Sequence, residues 1–359
     1  MLTLLEAILT KSPIAVKPQF NPMIGPSNRV LIVMGARYQP CMRSTHGVQD
    51  SNIPPKWPCP NTTTTDENSP DMMCTLSQVC GFRGVPEPVG GGSLDDQPQP
   101  NQWFRFIIPI FLHAGIIHIA FNMLLQLTLG RDMEKIIGPW RFAVVYFSSG
   151  IFGFVLGGNY ASAGQSSSGA SGCLFGIIAL ILLDLLYTWK ARKTPFVDLA
   201  FIAVDVAVCF VLGLLPGLDN FSHIGGFLMG LGLGVCLLHS PNALRERIGA
   251  DSPNDLPYVP VDDNGNYTRE SVDSTAVAKA NAVARKRLGF FKGRKPLWWV
   301  WWGIRAAALI GVLVAFVVLL NNFYTYRSQC SWCKYLSCLV CHVRALADTP
   351  PDDADSISL

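Results

Sequence analysis

The sequence predicts an all-α membrane protein, and both its composition and the distribution of its apolar residues support that prediction. Half of its 359 residues are hydrophobic and only 15% are charged, whereas soluble domains carry about 25% charged residues. The apolar residues form runs that approach the roughly 20 residues a helix needs to cross a bilayer. The net charge of +3 gives no reason to expect a nucleic-acid partner, so the lipid bilayer is the expected environment.

Six apolar segments are predicted to span the membrane: Phe104–Leu129, Phe142–Leu156, Cys173–Tyr187, Phe196–Leu215, Phe221–Leu238 and Leu297–Leu320. Lysine and arginine are concentrated in the connections after the first, third and fifth segments, whereas residues 157–172 and 216–222 contain none. Positive charge in short loops marks the cytoplasmic side of a membrane. The two ends of the chain are therefore predicted to be luminal.

These signals divide the chain into five parts. They are a luminal segment rich in Cys, Pro and Gly (residues 1–102), a helical core (103–239), a basic cytoplasmic linker (240–296), a further C-terminal transmembrane helix (297–320) and a luminal tail with cysteines (321–359).

The cysteines give a separate indication of the compartment. Four of them lie in the first part and four in the tail, namely Cys41, Cys59, Cys74, Cys80, Cys330, Cys333, Cys338 and Cys341. Even sets on a luminal side indicate disulfides. The Cys-x-x-Cys pairs of the tail would also fit a zinc site, but we expect no metal because luminal cysteines more often pair. Asn61, followed by Thr62 and Thr63, is a glycosylation sequon on the same side.

Polar side chains lie at the entrances of the first, third and fifth predicted spans. His113, His118 and Asn122 belong to the first, Ser171 to the third and His223 to the fifth. Because alternate spans run in the same direction, these groups are predicted to lie near the same membrane surface. Histidine and asparagine are costly in hydrocarbon and are often functional there, although a hydrogen bond that only packs helices is the alternative interpretation of His118 and Asn122.

The serine at the third entrance is a candidate nucleophile. Ser171 stands between Gly169 and Gly172 where a small polar loop enters an apolar helix, a pattern that on its own is also common in turns. A serine hydroxyl needs a base to take its proton, and His223 is the candidate. Phe175 lies one helical turn after Ser171 and would pack against the imidazole.

Attack on a peptide carbonyl creates an oxyanion, which requires hydrogen-bond donors. The side chains of His118 and Asn122 and the backbone N–H of Ser171 at a helix N-terminus are the candidates. Asp219 remains open as an acid that would orient His223, but a Ser–His dyad is the favoured interpretation. Gly226 and Gly230, spaced by four residues, form a close-packing face below His223 that would bring another helix against it.

Taken together, the motifs resemble the rhomboid family of intramembrane serine proteases. The matching patterns are His113-x4-His118-x3-Asn122, Gly130-x3-Glu134-x3-Gly138, Gly169-Ala170-Ser171-Gly172 and His223-x-Gly225-Gly226-x3-Gly230, with Trp103 and Arg105 resembling the Trp-Arg element of the first luminal loop. The resemblance implies Ser171 as nucleophile, His223 as general base, and His118 and Asn122 as oxyanion donors. It implies cleavage of single-pass transmembrane proteins, without a cofactor or a metal ion.

The resemblance also implies a rhomboid-like helical bundle with a six-helix core. The segment Ser12–Met42 resembles the long first loop of eukaryotic, particularly fungal, members. The additional helix after the core fits the secretory-pathway type, in the Golgi, endoplasmic reticulum or plasma membrane. The first core helix of that arrangement is missing or truncated here, because Met1–Leu9 is too short to cross a bilayer. We expect Met1–Leu9 to be its remnant, or an unrelated start, in a truncated gene model.

Two other functions remain as alternatives. An inactive or truncated rhomboid-like protein would act as a membrane chaperone or trafficking factor, but such proteins usually lack the serine or the histidine. A small-solute transporter would need paired charges near the bilayer midplane and inverted repeats. Asp205 is a single candidate for such a charge, and the sequence has no visible repeat.

Overall fold

The computed structural model describes residues 2–53, 55–66, 68–89, 91, 93–215, 218–244, 296–328, 330, 332, 333 and 336. Most of the predicted cytoplasmic linker, together with Cys338 and Cys341 of the tail, lies outside the described residues.

The described chain is helical. Three short helices come first: α1 (Leu2–Thr10), α2 (Asn28–Val33) and α3 (Leu76–Cys80). The bundle follows as α4 (Ile116–Leu125), α5 (Arg131–Ile137), α6 (Pro139–Tyr160), α7 (Ser171–Tyr187), α8 (Pro195–Leu212), α9 (Asn220–Leu237) and α10 (Pro296–Asn321). Single π-helical turns join α4 to α5 (Gln126–Gly130) and extend α10 (Asn322–Tyr326). Short 3-10 turns cover Gln39–Cys41, Pro70–Met72, Trp103–Phe106, Ile108–Phe111 and Trp189–Ala191.

Four of these helices, α6, α8, α9 and α10, are long and apolar enough to cross a bilayer, and α7 is a shorter apolar helix of 17 residues. They coincide with the second to sixth predicted spans. The helical membrane bundle predicted from composition is therefore confirmed.

The first predicted span, Phe104–Leu129, is wrong as a single helix. The chain there forms two 3-10 turns, and the helix begins only at Ile116. Pro109 lies within the second turn and has no N–H to donate. Phe106 and Ile110 are 5% and 2% exposed and pack inside the protein. Hydropathy does not distinguish side chains buried in protein from side chains buried in lipid, which explains the error.

Close contact between α7 and α9 forms the centre of the bundle. A Cβ added to Gly226 would overlap the carbonyl oxygen of Gly172, and one added to Gly230 would lie 2.5 Å from that of Gly176. Because both residue numbers rise together, the two helices run in parallel. The glycine face predicted on α9 thus packs against the helix that begins at Ser171.

Helices α6 and α10 surround this pair. α6 runs antiparallel to α9, since a Cβ on Gly153 would lie 2.5 Å from the carbonyl oxygen of Ser222, whereas one on Gly157 would overlap the carboxylate of the earlier residue Asp219. Phe152 of α6 packs against Phe316 of α10, with ring centroids 6.3 Å apart. α8, in contrast, has no buried residue within the described structure, so protein encloses it little.

The residues before the bundle form a compact unit held by disulfides. Cys41 pairs with Cys80 and Cys59 with Cys74, and Cys330 pairs with Cys333 in the tail. Cys41 and Cys80 are fully buried with Tyr38, Trp57 and Leu76. These six cysteines are therefore paired, as the sequence predicted, and the structure supplies the connectivity that the sequence left open.

Arg105, which the resemblance pairs with Trp103, lies inside the protein. Its side chain is 0% exposed, whereas Trp103 is 57% exposed. The guanidinium donates to the carbonyl oxygens of Ile32, Ala36 and Cys80. These bonds tie the disulfide-linked segment to the start of the bundle.

Candidate active site

Ser171 is the first residue of α7, at the end of the small polar loop. Gly169 turns the chain with φ +123°, a conformation that side-chain-bearing residues avoid. The Gly169 N–H donates to the carbonyl oxygen of Pro109 at 2.9 Å, which fixes the loop on the second 3-10 turn. The first N–H groups of a helix have no intrahelical acceptor, so those of Ser171 and Gly172 are available to a ligand.

His223 lies in the first turn of α9, directly beside this serine. Its Nε2 is 2.8 Å from Ser171 Oγ, and the residue is 3% exposed. The two side chains come from helices whose N-termini lie together because α7 and α9 run in parallel. At this distance the imidazole nitrogen can accept the serine proton.

Two aromatic rings hold the imidazole. Phe175 stacks on His223 with centroids 4.5 Å apart and an interplanar angle of 9°. Phe210 of α8 meets the same ring edge-on at 6.2 Å and packs on Phe175 at 5.8 Å. Sequence reasoning pointed to Phe175 through its helical spacing but missed Phe210, which approaches from a helix with no motif.

Asp219 does not contact the imidazole as the acid of a triad would. It caps α9 by accepting from the Phe221 N–H at 2.9 Å, and it accepts from Ser222 Oγ at 2.8 Å. It also accepts from Arg37 Nη2 at 3.3 Å. Within the described structure, His223 Nδ1 is buried without a hydrogen-bond partner. The arrangement is that of two residues, with Asp219 holding the helix rather than the ring.

His118 faces the loop before Ser171. The backbone N–H of Ala114 donates to His118 Nδ1 at 3.2 Å, so Nε2 carries the proton in the neutral ring. A Cβ on Gly169 would lie 2.7 Å from that nitrogen. His118 therefore presents an N–H donor at the loop that leads to Ser171. His113 packs on it, with ring centroids 5.2 Å apart.

Asn122 lies one turn further along α4. Its Nδ2 donates to the carbonyl oxygen of His118 at 2.9 Å, and the side chain is buried at 6% exposure. This bond uses one of two amide hydrogens. The structure thus places Asn122 below His118 on the same helix face, as the spacing predicted.

The motif Gly130-x3-Glu134-x3-Gly138 lies at the other end of the bundle. Gly138 joins α5 to α6 with φ +83°, and its N–H donates to the carbonyl oxygen of Glu134 at 2.8 Å. Gly130 lies in the π-helical turn before α5. Because α6 reaches the dyad with its C-terminal half, these three residues support the bundle and do not contribute to the site.

Sequence reasoning also missed the residues that attach the N-terminal segment to the site. Arg37, fully buried, reaches Asp219. Burial lowers the pKa of the Arg37 guanidinium, and the Asp219 carboxylate counteracts that shift. Asn21 Nδ2 donates to the carbonyl oxygen of Ala114 at 2.7 Å, next to the N–H that orients His118. The contacts join residues far apart in the chain, so no local pattern indicates them.

Among the described residues, no group of three His, Cys, Asp or Glu side chains is arranged to hold a metal ion. The chemistry available at this site is that of a serine, an imidazole and hydrogen-bond donors.

Comparison with known proteins identifies the family that this chain resembles. The family model for the Rhomboid domain matches residues 100–240. The chain is 56% identical over 338 residues to Rhomboid-type serine protease 2 of Emericella nidulans, covering 92% of this chain and 65% of that protein. It is 30% identical over 253 residues to RHOMBOID-like protein 1 of Arabidopsis thaliana (70% and 57%) and over 244 residues to Inactive rhomboid protein 1 of Homo sapiens (67% and 22%).

Proposed function

The chain belongs to the rhomboid family and is an integral membrane protein, and from that premise we propose that it is an intramembrane serine endopeptidase. The observation that supports this most strongly is the 2.8 Å contact between Ser171 Oγ and His223 Nε2. The fungal relative is named as a serine protease, which is the same activity. Because this chain spans only 65% of that relative's length, the activity is proposed here from the site itself.

The proposed reaction uses the dyad twice. Ser171 Oγ attacks the peptide carbonyl while His223 Nε2 takes its proton, which gives a tetrahedral oxyanion and an imidazolium. The imidazolium then protonates the departing amine, leaving an ester on Ser171. Water attacks the ester with His223 again as base, and the serine is released with its proton restored.

The oxyanion needs donors that are in place before the reaction. His118 Nε2–H and the backbone N–H of Ser171 are proposed for this role, with Asn122 contributing its second amide hydrogen. Removal of one such donor typically lowers kcat by about 10²–10³-fold. His118 is oriented by Ala114 and Asn122 by its own helix, so neither side chain needs to be ordered during the reaction.

The proposed substrates are transmembrane segments of single-pass membrane proteins. The dyad lies at the N-terminal ends of two apolar helices, so a bond cut there would lie near one membrane surface. No cofactor is required by the proposed steps.

The test of this function is cleavage of a co-expressed transmembrane reporter. Ser171→Ala and His223→Ala are each expected to abolish cleavage while the amount of membrane-inserted protein stays unchanged. Cleavage that persists in either variant would reject the dyad. Absence of cleavage by the wild-type chain across a reporter panel would instead favour a non-proteolytic role, as in the relative named as inactive.

The secretory pathway is the proposed location, and Asn61 provides its test. The disulfides of the N-terminal segment need an oxidising compartment, and Asn61 is exposed. Expressed in a eukaryotic cell, the chain is expected to shift to lower mass on treatment with an N-glycosidase, and Asn61→Gln is expected to remove the shift. A chain that carries no glycan at Asn61 contradicts the luminal placement of this segment.

A further inference from the structure

Arg37 and Asp219 form a buried ion pair between the N-terminal segment and the helix of the proposed base. The residues are 182 positions apart, both side chains are 0% exposed, and Arg37 Nη2 lies 3.3 Å from Asp219 Oδ2. Burying two charges is costly unless they are paired and hydrogen-bonded. Because leaving either charge buried without its partner would be strongly destabilising, the pair links the two elements that carry it.

The backbone of Arg37 is hydrogen-bonded to the loop that leads to Ser171. Its N–H donates to the carbonyl oxygen of Ser167 and its carbonyl oxygen accepts from the Ser167 N–H, both at 2.9 Å. Ser167 lies four residues before Ser171 in the loop that leads to it. Arg37 thus holds the serine loop through its backbone and the histidine helix through its side chain.

Asp219 transmits this contact to His223. It caps α9, its backbone oxygen accepts from the His223 N–H at 3.4 Å, and the Ser222 hydroxyl donates to the same carboxylate. Gly157 of α6 leaves room for the Asp219 carboxylate, since a Cβ on residue 157 would overlap Asp219 Oδ2. The first turn of α9 is thereby clamped between α6 and Arg37.

The two further arginines that are buried in the described part of the chain make different contacts. Arg105 donates to three backbone carbonyls, and Arg43 donates to the carbonyl oxygen of Phe323 at 2.7 Å. Both join parts of the scaffold. Of these three arginines, Arg37 is the one that bonds to a side chain near His223, because its partner Asp219 lies four residues before the histidine.

We propose that Arg37 is a positioning residue for the dyad, which acts through Asp219 by setting the depth and rotation of the first turn of α9 against the Ser171 loop. The inference rests on the proposed function, because it assigns Arg37 a role in the same reaction. Loss of the ion pair should leave the substrate-binding surface in place and misplace the imidazole relative to the serine.

The test uses the purified full-length chain and two readouts per folded molecule: the rate at which a fluorophosphonate modifies Ser171, and kcat and KM for a transmembrane-peptide substrate. Arg37→Met is expected to lower both the labelling rate and kcat by roughly 10- to 100-fold, because misplacing a catalytic group by about 1 Å can cost 100-fold. KM is expected to stay within about threefold. A purely structural role would change the folded fraction and leave the rate per folded molecule unaltered.

A second variant guards against misfolding. Arg37→Met combined with Asp219→Asn leaves no unpaired buried charge, and asparagine still caps the helix. This double variant is expected to be as slow as Arg37→Met, since both lack the same link. Arg37→Lys keeps the positive charge with a shorter donor and is expected to give an intermediate labelling rate. If the neutral variants do not accumulate as folded protein, Arg37→Lys decides the test. A wild-type labelling rate in Arg37→Lys would then contradict the proposal.

The matched control is an ion pair with one exposed partner, which joins the N-terminal segment to the residue that follows the π-helical turn of α10. Arg327 Nη1 lies 3.0 Å from Asp95 Oδ1, with the Asp95 side chain 80% exposed and the Arg327 side chain 12% exposed. Asp95→Asn with Arg327→Gln is expected to keep the wild-type rates within about twofold, as for most surface pairs. A folded Arg37→Met/Asp219→Asn variant at the wild-type labelling rate overturns the proposal. A wild-type chain that neither reacts nor cleaves contradicts the proposed function itself, and this inference with it.

Discussion

At the scale of single residues, the site depends on Gly169 as much as on the groups that react. Its φ of +123° is unfavourable for any residue with a side chain, and a Cβ would lie 2.5 Å and 2.7 Å from His118 Cε1 and Nε2. The glycine therefore lets the imidazole reach the loop before Ser171. His118 in turn is held by Ala114 and packed by His113.

Gly169→Ala is expected to lower kcat by roughly 100-fold, the usual effect of losing one oxyanion donor, with a smaller change in KM. The added methyl group would push the His118 ring away from the loop. Steady-state cleavage of a transmembrane peptide measures both constants.

Gly138→Ala is the matched control for this prediction. Gly138 also has a positive φ, +83°, but a Cβ there meets nothing within 4 Å. It is expected to lose about 1–2 kcal/mol of stability from the backbone conformation and to keep kcat within about threefold. Equal loss of kcat in the two variants would show that strain, not displacement of His118, is responsible.

At the scale of helices, the parallel packing of α7 and α9 creates the dyad. Gly226 and Gly230 let the helices approach so closely that their N-terminal residues, Ser171 and His223, come into hydrogen-bond contact. The stack of Phe175 on His223 then spans the same interface. The reactive pair is a consequence of helix spacing more than of loop conformation.

Gly226→Ala is expected to separate the two helices at the level of the dyad, because its Cβ would overlap the carbonyl oxygen of Gly172. Both cleavage and fluorophosphonate labelling should fall at least tenfold, as expected for an angstrom-scale displacement. Gly303→Ala on α10, where a Cβ meets nothing within 4 Å, should be neutral or stabilising by about 0.5–1 kcal/mol. Unchanged labelling in Gly226→Ala would contradict the role of this contact.

The sequence predicted some of these elements better than others, for identifiable reasons. The four-residue glycine spacing on α9 is a local pattern, and it indicated the packing face next to His223. The apolar run Phe104–Leu129 gave the wrong helix, because Phe106 and Ile110 are buried against other protein side chains and not in lipid. Phe210 was missed because an aromatic residue on an apolar helix looks like any other lipid-facing residue.

At the scale of the whole molecule, the N-terminal segment is joined to the bundle at several buried points. Arg37 reaches Asp219, Gln39 Nε2 donates to the carbonyl oxygen of Ala161 at 3.0 Å, and Arg43 donates to that of Phe323. These contacts link residues 122 to 280 positions apart. Sequence periodicity carries no information at that range, so the sequence predicted a disulfide-linked segment without predicting where it would attach.

The two disulfides of the N-terminal segment are expected to contribute unequally to the stability of the protein. Cys41–Cys80 closes a separation of 39 residues inside the buried cluster, whereas Cys59–Cys74 closes 15. Replacing Cys41 and Cys80 by serine is expected to cost roughly 3–4 kcal/mol by loop entropy, and to cost more than replacing the other pair. Tryptophan-fluorescence melting compares the two Tm values, with Cys209→Ser, a free cysteine on α8, as the control. A lower Tm for the variant that lacks Cys59–Cys74 than for the variant that lacks Cys41–Cys80 would contradict this prediction.

The most direct test of the account is to find which residue of the purified wild-type chain a fluorophosphonate modifies, by mass spectrometry of its peptides. We expect one adduct, on Ser171, with the same peptide unmodified in His223→Ala. An unmodified Ser171 in the folded wild-type chain, or equal modification with and without His223, would contradict the claim that these two side chains form the catalytic pair.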